Sequence, residues 1–179
     1  MKTHSLGITQ VVLIQQVIVI ASLVDMLEGI QHLDYPIHLL DITQVKKNTT
    51  GNYNTYIGAN SGQIGRTASN NTFMGYFTGF QNSIGSQNTS IGTRAGEQNT
   101  TGNNNIFLGF EAGKRISSGG FGNLTVSNGS IFIGRDTKAL LDNQSNQIVI
   151  GDSAIGLGTN TTVIGNTSSV RTHLFAKYN

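Results

Sequence analysis

The sequence predicts a mainly β protein built as a β-solenoid, a coil of short strands with about 17 residues in each turn. Three observations lead to this prediction. A five-residue phrase that ends in glycine recurs at a fixed interval, apolar residues alternate within the phrase, and the composition of the chain changes near residue 47.

The recurring phrase gives the period of the solenoid. It reads NTYIG at 54–58, NTFMG at 71–75, NTSIG at 88–92 and NIFLG at 105–109, and continues as SIFIG at 130–134, QIVIG at 147–151 and TVIG up to residue 165. Successive closing glycines are separated by 17, 17, 17, 25, 17 and 14 residues. The interval of 25 indicates one repeat with an eight-residue insertion near 116–123. Because specificity normally resides in loops, we expect recognition at this insertion.

Each phrase is expected to form a short strand followed by a corner. Glycine can adopt a positive φ or pack closely at the corner, and the leading asparagine tolerates the left-handed conformation and can form an amide ladder along the axis. A second glycine four residues later predicts a unit of two short strands and two corners. The residues assigned to the structural repeat are Asn54, Ile57, Gly58, Asn71, Met74, Gly75, Asn88, Ile91, Gly92, Asn105, Leu108, Gly109, Ile133, Gly134, Ile150, Gly151, Ile164 and Gly165.

The strands are largely apolar on both faces, which predicts that both faces are buried. The apolar side chain before the glycine is expected to point into the coil, together with the side chain two positions earlier. The middle side chain then points outward. Since one thin coil can bury only one face, the middle column is expected to contact another copy of the chain. The residues assigned to this trimer interface are Tyr56, Phe73, Phe107 and Phe132.

Residues 1–32 are predicted to form an apolar helix, because only two of the 23 glycines precede residue 47 and apolar residues recur at spacings of three and four. Such spacing is typical of a coiled-coil seam, and the wide apolar surface favours three or more helices, or a helix docked on another protein. The seam residues assigned to the trimer interface are Leu13, Gln16, Ile20, Leu23 and Leu27. A signal peptide and a membrane span are the less favoured alternatives. Residues 33–50 are interpreted as a connector and residues 51–169 as the repeat shaft.

The composition excludes several classes of function. The chain has no cysteine, its four histidines are scattered, and its carboxylates stand at unrelated offsets in different repeats. We therefore expect no catalytic site, no metal and no cofactor. The net charge is only +2 and no dense basic run is present, so nucleic acid is not expected as a partner.

The asparagine-led phrase with its closing glycine resembles the repeats of the left-handed β-roll in the heads of trimeric autotransporter adhesins. It is also similar to repeats in trimeric phage tail and head fibres. The resemblance covers about residues 51–169 and implies a left-handed β-roll in a homotrimer. For residues 170–179 it implies an exit strand, with which such fibres leave the roll.

These observations predict a non-enzymatic structural and adhesive fibre protein, and we favour a trimeric phage tail or head fibre at the virion surface. Its N-terminal helix would attach it to the virion or to a filament body, and its polar β-roll would hold host-surface glycans. A virion fibre is favoured because neither a pore-forming C-terminal segment nor a clear signal peptide is recognised. The alternatives are a bacterial surface adhesin and a self-assembling extracellular filament subunit. The least favoured is a polysaccharide-degrading fibre enzyme with paired carboxylates between chains.

Overall fold

The computed structural model describes residues 50–118 and 122–169, which form a parallel β-solenoid of about six turns with about 17 residues per turn. This confirms the fold and the period predicted from the recurring phrase. The chain divides into two units, Met1–Leu39 and Leu40–Asn179, and the described residues lie in the second. Three predicted features lie outside the described residues: the exit strand at 170–179, the connector up to residue 49, and the N-terminal helix with its seam residues Leu13, Gln16, Ile20, Leu23 and Leu27.

Seven three-residue strands stack into one parallel sheet, which we call the long sheet. Its strands are β1 (Thr55–Ile57), β2 (Thr72–Met74), β3 (Thr89–Ile91), β4 (Ile106–Leu108), β6 (Ile131–Ile133), β8 (Ile148–Ile150) and β9 (Thr162–Ile164). Two shorter strands, β5 (Ser127–Asn128) and β7 (Gln144–Ser145), form a second parallel sheet. Equivalent positions of the phrase lie side by side in the long sheet, even across the insertion, where Phe107 lies opposite Phe132.

Most turns contain one regular strand instead of the predicted two. Among the described residues, a second regular strand occurs only in the turns that contain β5 and β7. Backbone hydrogen bonds nevertheless join equivalent irregular positions of neighbouring turns. The Gly79 N–H donates to the Ala95 carbonyl at 3.0 Å, and the Gln81 N–H donates to the Glu97 carbonyl at 2.9 Å. Stacking of identical backbone paths therefore satisfies polar groups that would otherwise need strand geometry.

The middle side chain of each long-sheet strand points into the coil. Phe73, Phe107 and Phe132 are each no more than 1% exposed within the single chain. The rings of Phe107 and Phe132 stack with their centroids 5.5 Å apart, and Tyr56, which is half-buried, stacks on Phe73 at 5.2 Å. This orientation is the reverse of the predicted one. Tyr56, Phe73, Phe107 and Phe132 were expected to face another chain, but the three phenylalanines lie in the core of their own chain.

Small residues on the inner wall explain why rings fit inside so thin a coil. One buried position carries only short side chains in six successive turns: Ser61, Thr78, Ala95, Ala112, Thr137 and Ala154. In four of these turns the next residue is glycine, and a methyl group on Gly79 or Gly113 would collide with the ring of Phe73 or Phe107. The second glycine of the repeat therefore leaves the volume that an aromatic ring fills.

The closing glycines have the predicted positive φ and the predicted close packing. All seven lie between φ +94° and +136°. At Gly75, a β-carbon would lie 2.8 Å from the carbonyl carbon of Gly92 in the next turn, closer than real side chains approach. Glycine is needed at this corner both for its backbone conformation and because neighbouring turns touch there.

The leading asparagines form the predicted amide ladder inside the solenoid. The Asn71 N–H donates to Asn54 Oδ1 at 3.0 Å, and the Asn71 Nδ2 group donates to the Gly85 carbonyl of its own turn at 2.9 Å. Each asparagine thus links the start of its turn to the end of the same turn and to the next turn. The left-handed corner lies one residue earlier than predicted, because the residue before each leading asparagine has φ of 57–60°: Tyr53, Asn70, Gln87 and Asn104.

The described arms of the predicted insertion pair with each other, and we call them the hairpin. Arg115 and Asn123 make an antiparallel bridge, and the Leu124 N–H donates to the Lys114 carbonyl at 3.0 Å. Arg115 and Asn123 therefore lie at the base of the two arms of the insertion. The outgoing arm continues the wall of the solenoid, since Ile116 bridges Ala139 of the following turn in parallel.

Candidate functional site

The first and third side chains of each long-sheet strand point away from the core and form a surface that we call the outer face. Its members are Thr55, Ile57, Thr72, Met74, Thr89, Ile91, Ile106, Leu108, Ile131, Ile133, Ile148, Ile150, Thr162 and Ile164. Ile106, Met74, Leu108 and Ile164 each expose 40–42% of their surface. None of these residues is charged, so the side chains that the outer face exposes to water are aliphatic side chains, methionine and threonine.

The apolar character is concentrated in the middle of the outer face. Strands β4, β6 and β8 contribute only isoleucine and leucine, whereas threonine occupies the first position in β1, β2, β3 and β9. Because the strands are in register, these side chains form straight rows spaced about 4.8 Å apart. Contiguous exposed apolar surface on a soluble protein marks an interaction site.

Two exposed aromatic residues extend the outer face beyond the corner. Tyr76 and Phe110 are 49% and 51% exposed, and each follows an outer-face residue, Met74 or Leu108, by two positions. They belong to equivalent positions two turns apart. The apolar surface therefore continues from the sheet onto the neighbouring edge of the solenoid.

The sequence pattern correctly indicated two apolar faces per strand, but the prediction interchanged the inward and the outward face. Alternation alone treats both faces alike, so it cannot say which one the coil encloses. The informative signal is the pairing of a ring with a glycine, since the glycines at 62, 79 and 113 lie against Tyr56, Phe73 and Phe107. The face that is left outside carries the aliphatic residues Ile133 and Ile150 instead of the phenylalanines.

A second candidate site lies at the base of the hairpin, and we call it the insertion groove. Its cavity of about 350 Å³ is lined by residues from three successive turns: Glu111, Arg115, Ile116, Ser117, Asp136, Lys138 and Ile155. The Ser117 N–H donates to the Ala139 carbonyl at 2.8 Å, which holds the hairpin arm against the next turn. A parallel bridge between Lys138 and Ile155 continues the same wall into the third turn.

The charged residues of the insertion groove occur as acid–base pairs. Lys138 Nζ lies 2.6 Å from Asp136 Oδ2, and Arg115 lies 3.8 Å from Glu111. Glu111 also accepts a 2.8 Å hydrogen bond from Lys114, whose side chain is only 7% exposed. Burial alone would raise the pKa of Glu111. The hydrogen bond and positive charge of Lys114 outweigh this effect, with smaller contributions from Arg115 and Arg94, and the pKa falls below its ordinary 4.5. Glu111 is therefore an anionic acceptor at neutral pH.

Sequence reasoning missed the groove because its carboxylates stand at unequal intervals. Glu111 and Asp136 are 25 residues apart, which is also the interval from Gly109 to Gly134. Once the eight-residue insertion is subtracted, both carboxylates occupy the same position of the repeat, and both have the left-handed conformation, with φ of 54° and 52°. Counting residues from each closing glycine would have revealed this alignment.

The described part of the chain, residues 50–118 and 122–169, contains no group of three or more His, Cys, Asp or Glu residues that could hold a metal ion. Nor do these residues include a helix that could cross a membrane.

Comparisons with known proteins give no match: no protein-family model, no curated protein and no solved structure is significantly similar to the chain.

Proposed function

We propose that the chain is a non-enzymatic structural and adhesive fibre protein, a left-handed β-roll that forms a homotrimer through the outer face of its long sheet. The observation that carries this proposal is the exposed aliphatic surface centred on Ile106 and Leu108. Removing such surface from water contributes about 25 cal/mol for each Å² to association, before the entropic cost of bringing the chains together is subtracted. The occupants are the other two copies of the same chain.

Two features favour identical copies as the occupant. The outer face lacks charged groups, so no like charges oppose each other when two copies meet. Its in-register rows repeat at one spacing along the axis, so copies related by rotation about a parallel axis present matching rows. The predicted seam at 1–32, with Leu13, Ile20 and Leu27, would bring parallel copies together at one end. Its wide apolar surface favours three chains over two.

The fibre role follows from the assembly. Each turn stacks on the next with the same hydrogen bonds, so a trimer of solenoids is a rigid shaft whose length depends on the number of turns. The favoured setting is a phage tail or head fibre at the virion surface, attached through the N-terminal helix and holding host-surface glycans with avidity from three copies. A bacterial surface adhesin and a self-assembling extracellular filament subunit are the alternative settings.

The environment of the carboxylates in the insertion groove makes a polysaccharide-degrading fibre the less favoured proposal. A glycosidase needs a carboxylic acid that remains protonated near neutral pH, which requires a raised pKa. The pKa of Glu111 is lowered instead, and Asp136 is paired with Lys138 at 2.6 Å. Glu111 is therefore suited to accept hydrogen bonds and not to donate a proton.

The mass of the native protein tests this proposal. We expect a value near three times 19.1 kDa for the purified chain. The variant Leu108→Asp should shift the mass towards the monomer, because the trimer would force three carboxylates into an apolar interface. The circular dichroism spectrum of the shaft should not change, because Leu108 is 41% exposed in the single chain. The matched control is Ile84→Asp, because Ile84 is 51% exposed but lies outside the outer face. A monomeric native protein, or equal effects of the two substitutions, would contradict the proposal.

A further inference from the structure

We propose that the insertion groove is a binding site for an uncharged saccharide. This inference rests on the adhesive part of the proposed function and assigns a place and a ligand class to it. The groove lies where the regular repeat is interrupted, and it combines the arm of the hairpin with the walls of the next two turns. Its volume of about 350 Å³ falls in the range of about 300–1,000 Å³ that is typical of small-ligand sites.

The charges of the groove select against charged ligands. Four lining residues are ionised, and the negative charges of Glu111 and Asp136 are balanced by Arg115 and Lys138. Their pairing distances of 3.8 Å and 2.6 Å mean that each charge already has a counterion in the wall. An anionic or cationic ligand would gain no net attraction and would have to displace one of these pairs.

The same groups suit hydroxyl groups. A carboxylate has about four acceptor positions and an ammonium group three donors, so one ion pair leaves both partners able to form further hydrogen bonds. Asp136 and Lys138 are 27% and 23% exposed in their side chains, which keeps them within reach of a ligand. A hydroxyl group both donates and accepts, and it can therefore bond to the carboxylate and the ammonium of one pair together. Hydrogen bonds to ionised groups are the stronger kind.

Apolar side chains complete the chemistry of a sugar site. Ile116 and Ile155 line the groove beside the charged pairs, and Ile155 is 36% exposed. A pyranose ring carries C–H groups on one face and hydroxyl groups around its rim. A wall with aliphatic groups next to mixed donors and acceptors matches both, and the Ser117 hydroxyl adds one more donor and acceptor.

Saturation-transfer NMR on the full-length protein tests this assignment. The probes are the methyl glycosides of glucose, galactose and N-acetylglucosamine, with N-acetylneuraminic acid and glucosamine as the anionic and cationic comparisons. We expect transfer to at least one neutral glycoside and none to the charged sugars. Absence of transfer to all neutral glycosides, or preferential transfer to a charged sugar, would overturn the proposal.

Substitutions locate the binding. Ser117→Trp should fill the groove and abolish transfer, and Asp136→Asn, which keeps the shape but removes the charge, should weaken binding about tenfold. The matched control is Asp152→Asn, because Asp152 forms an exposed ion pair with Arg135, at 2.7 Å, outside the groove. Transfer that survives both groove substitutions would show that the sugar binds elsewhere. The native mass is recorded for every variant, so that loss of the trimer and loss of saccharide binding are distinguished.

Discussion

Asn88 Oδ1 accepts two hydrogen bonds from a single residue of the next turn, the backbone N–H and the Nδ2 group of Asn105, each at 3.0 Å. Both asparagines are 1% exposed. Asn88 in turn donates through its own N–H to Asn71 Oδ1 at 2.9 Å. A row of side-chain amides therefore joins successive turns inside the solenoid, where water does not compete for the bonds.

Breaking this row should be costly for stability. In Asn88→Ala, the buried Asn105 N–H loses its acceptor, so we expect the free energy of unfolding to fall by about 2–4 kcal/mol in urea titrations. The control is Asn123→Ala, since Asn123 is exposed and makes only a long 3.3 Å side-chain contact with Gln98; its effect should remain below about 0.5 kcal/mol. Equal effects of the two substitutions would mean that the ladder adds nothing to stability.

Two glycines separate the effect of backbone conformation from the effect of packing. Gly113 and Gly129 have nearly the same φ, +59° and +60°, but a β-carbon on Gly113 would collide with the Phe107 ring, whereas one on Gly129 meets nothing within 4 Å. Gly129→Ala should therefore cost about 1–2 kcal/mol for the left-handed conformation alone. Gly113→Ala should cost about 1–3 kcal/mol more, because the ring must move. Comparable losses in urea titrations would show that Phe107 relaxes freely.

Tyr56 should make the shaft sensitive to alkali. Burial raises the pKa of Tyr56 from 10.0 to about 12, although a hydrogen bond with Asn71 acts in the opposite direction. The unfolded chain then releases this proton at lower pH than the folded chain, so the contribution to stability is complete below pH 10 and is lost as the pH rises towards 12. The thermal unfolding midpoint should fall less steeply in Tyr56→Phe than in the native protein between about pH 10 and pH 12. Parallel slopes would show that Tyr56 titrates alike in both states.

Replacing one buried amide should increase stability. Gln147 is fully buried in the column of the leading asparagines, and neither its Oε1 nor its Nε2 atom has a hydrogen-bond partner. Gln147→Met keeps the length of the side chain and removes the unpaired polar atoms, so the free energy of unfolding should rise by about 1–2 kcal/mol. Gln144→Met is the contrasting variant, because Gln144 Oε1 accepts the Leu141 N–H at 3.1 Å and its loss should destabilise. A decrease for Gln147→Met would show that the amide is hydrogen-bonded.

The period and register of the solenoid could be predicted from the sequence, whereas the inner face could not be predicted from alternation alone. The closing glycines fix both, because Gly75 and its equivalents have to touch the next turn wherever they occur. The choice of inner face depends on the volume available across the coil, which is set by short residues outside the strand, such as Ala112, and not by alternation within the strand. The groove was missed for a similar reason: Lys138 and Ile155 are brought together by stacking of turns and not by a local motif.

The corner after six of the seven long-sheet strands has the same backbone conformation, although its residue differs every time. The occupants are Asn60, Phe77, Arg94, Glu111, Asp136 and Ser153, with φ between 52° and 59°. Stacking of the turns imposes this conformation on aromatic, basic, acidic and small polar residues alike. The side chain at this corner can therefore be replaced without a change in the backbone conformation. Evolution can thus diversify the chemistry of the shaft one turn at a time at this position, while the glycine two residues earlier in each turn has no permitted substitute.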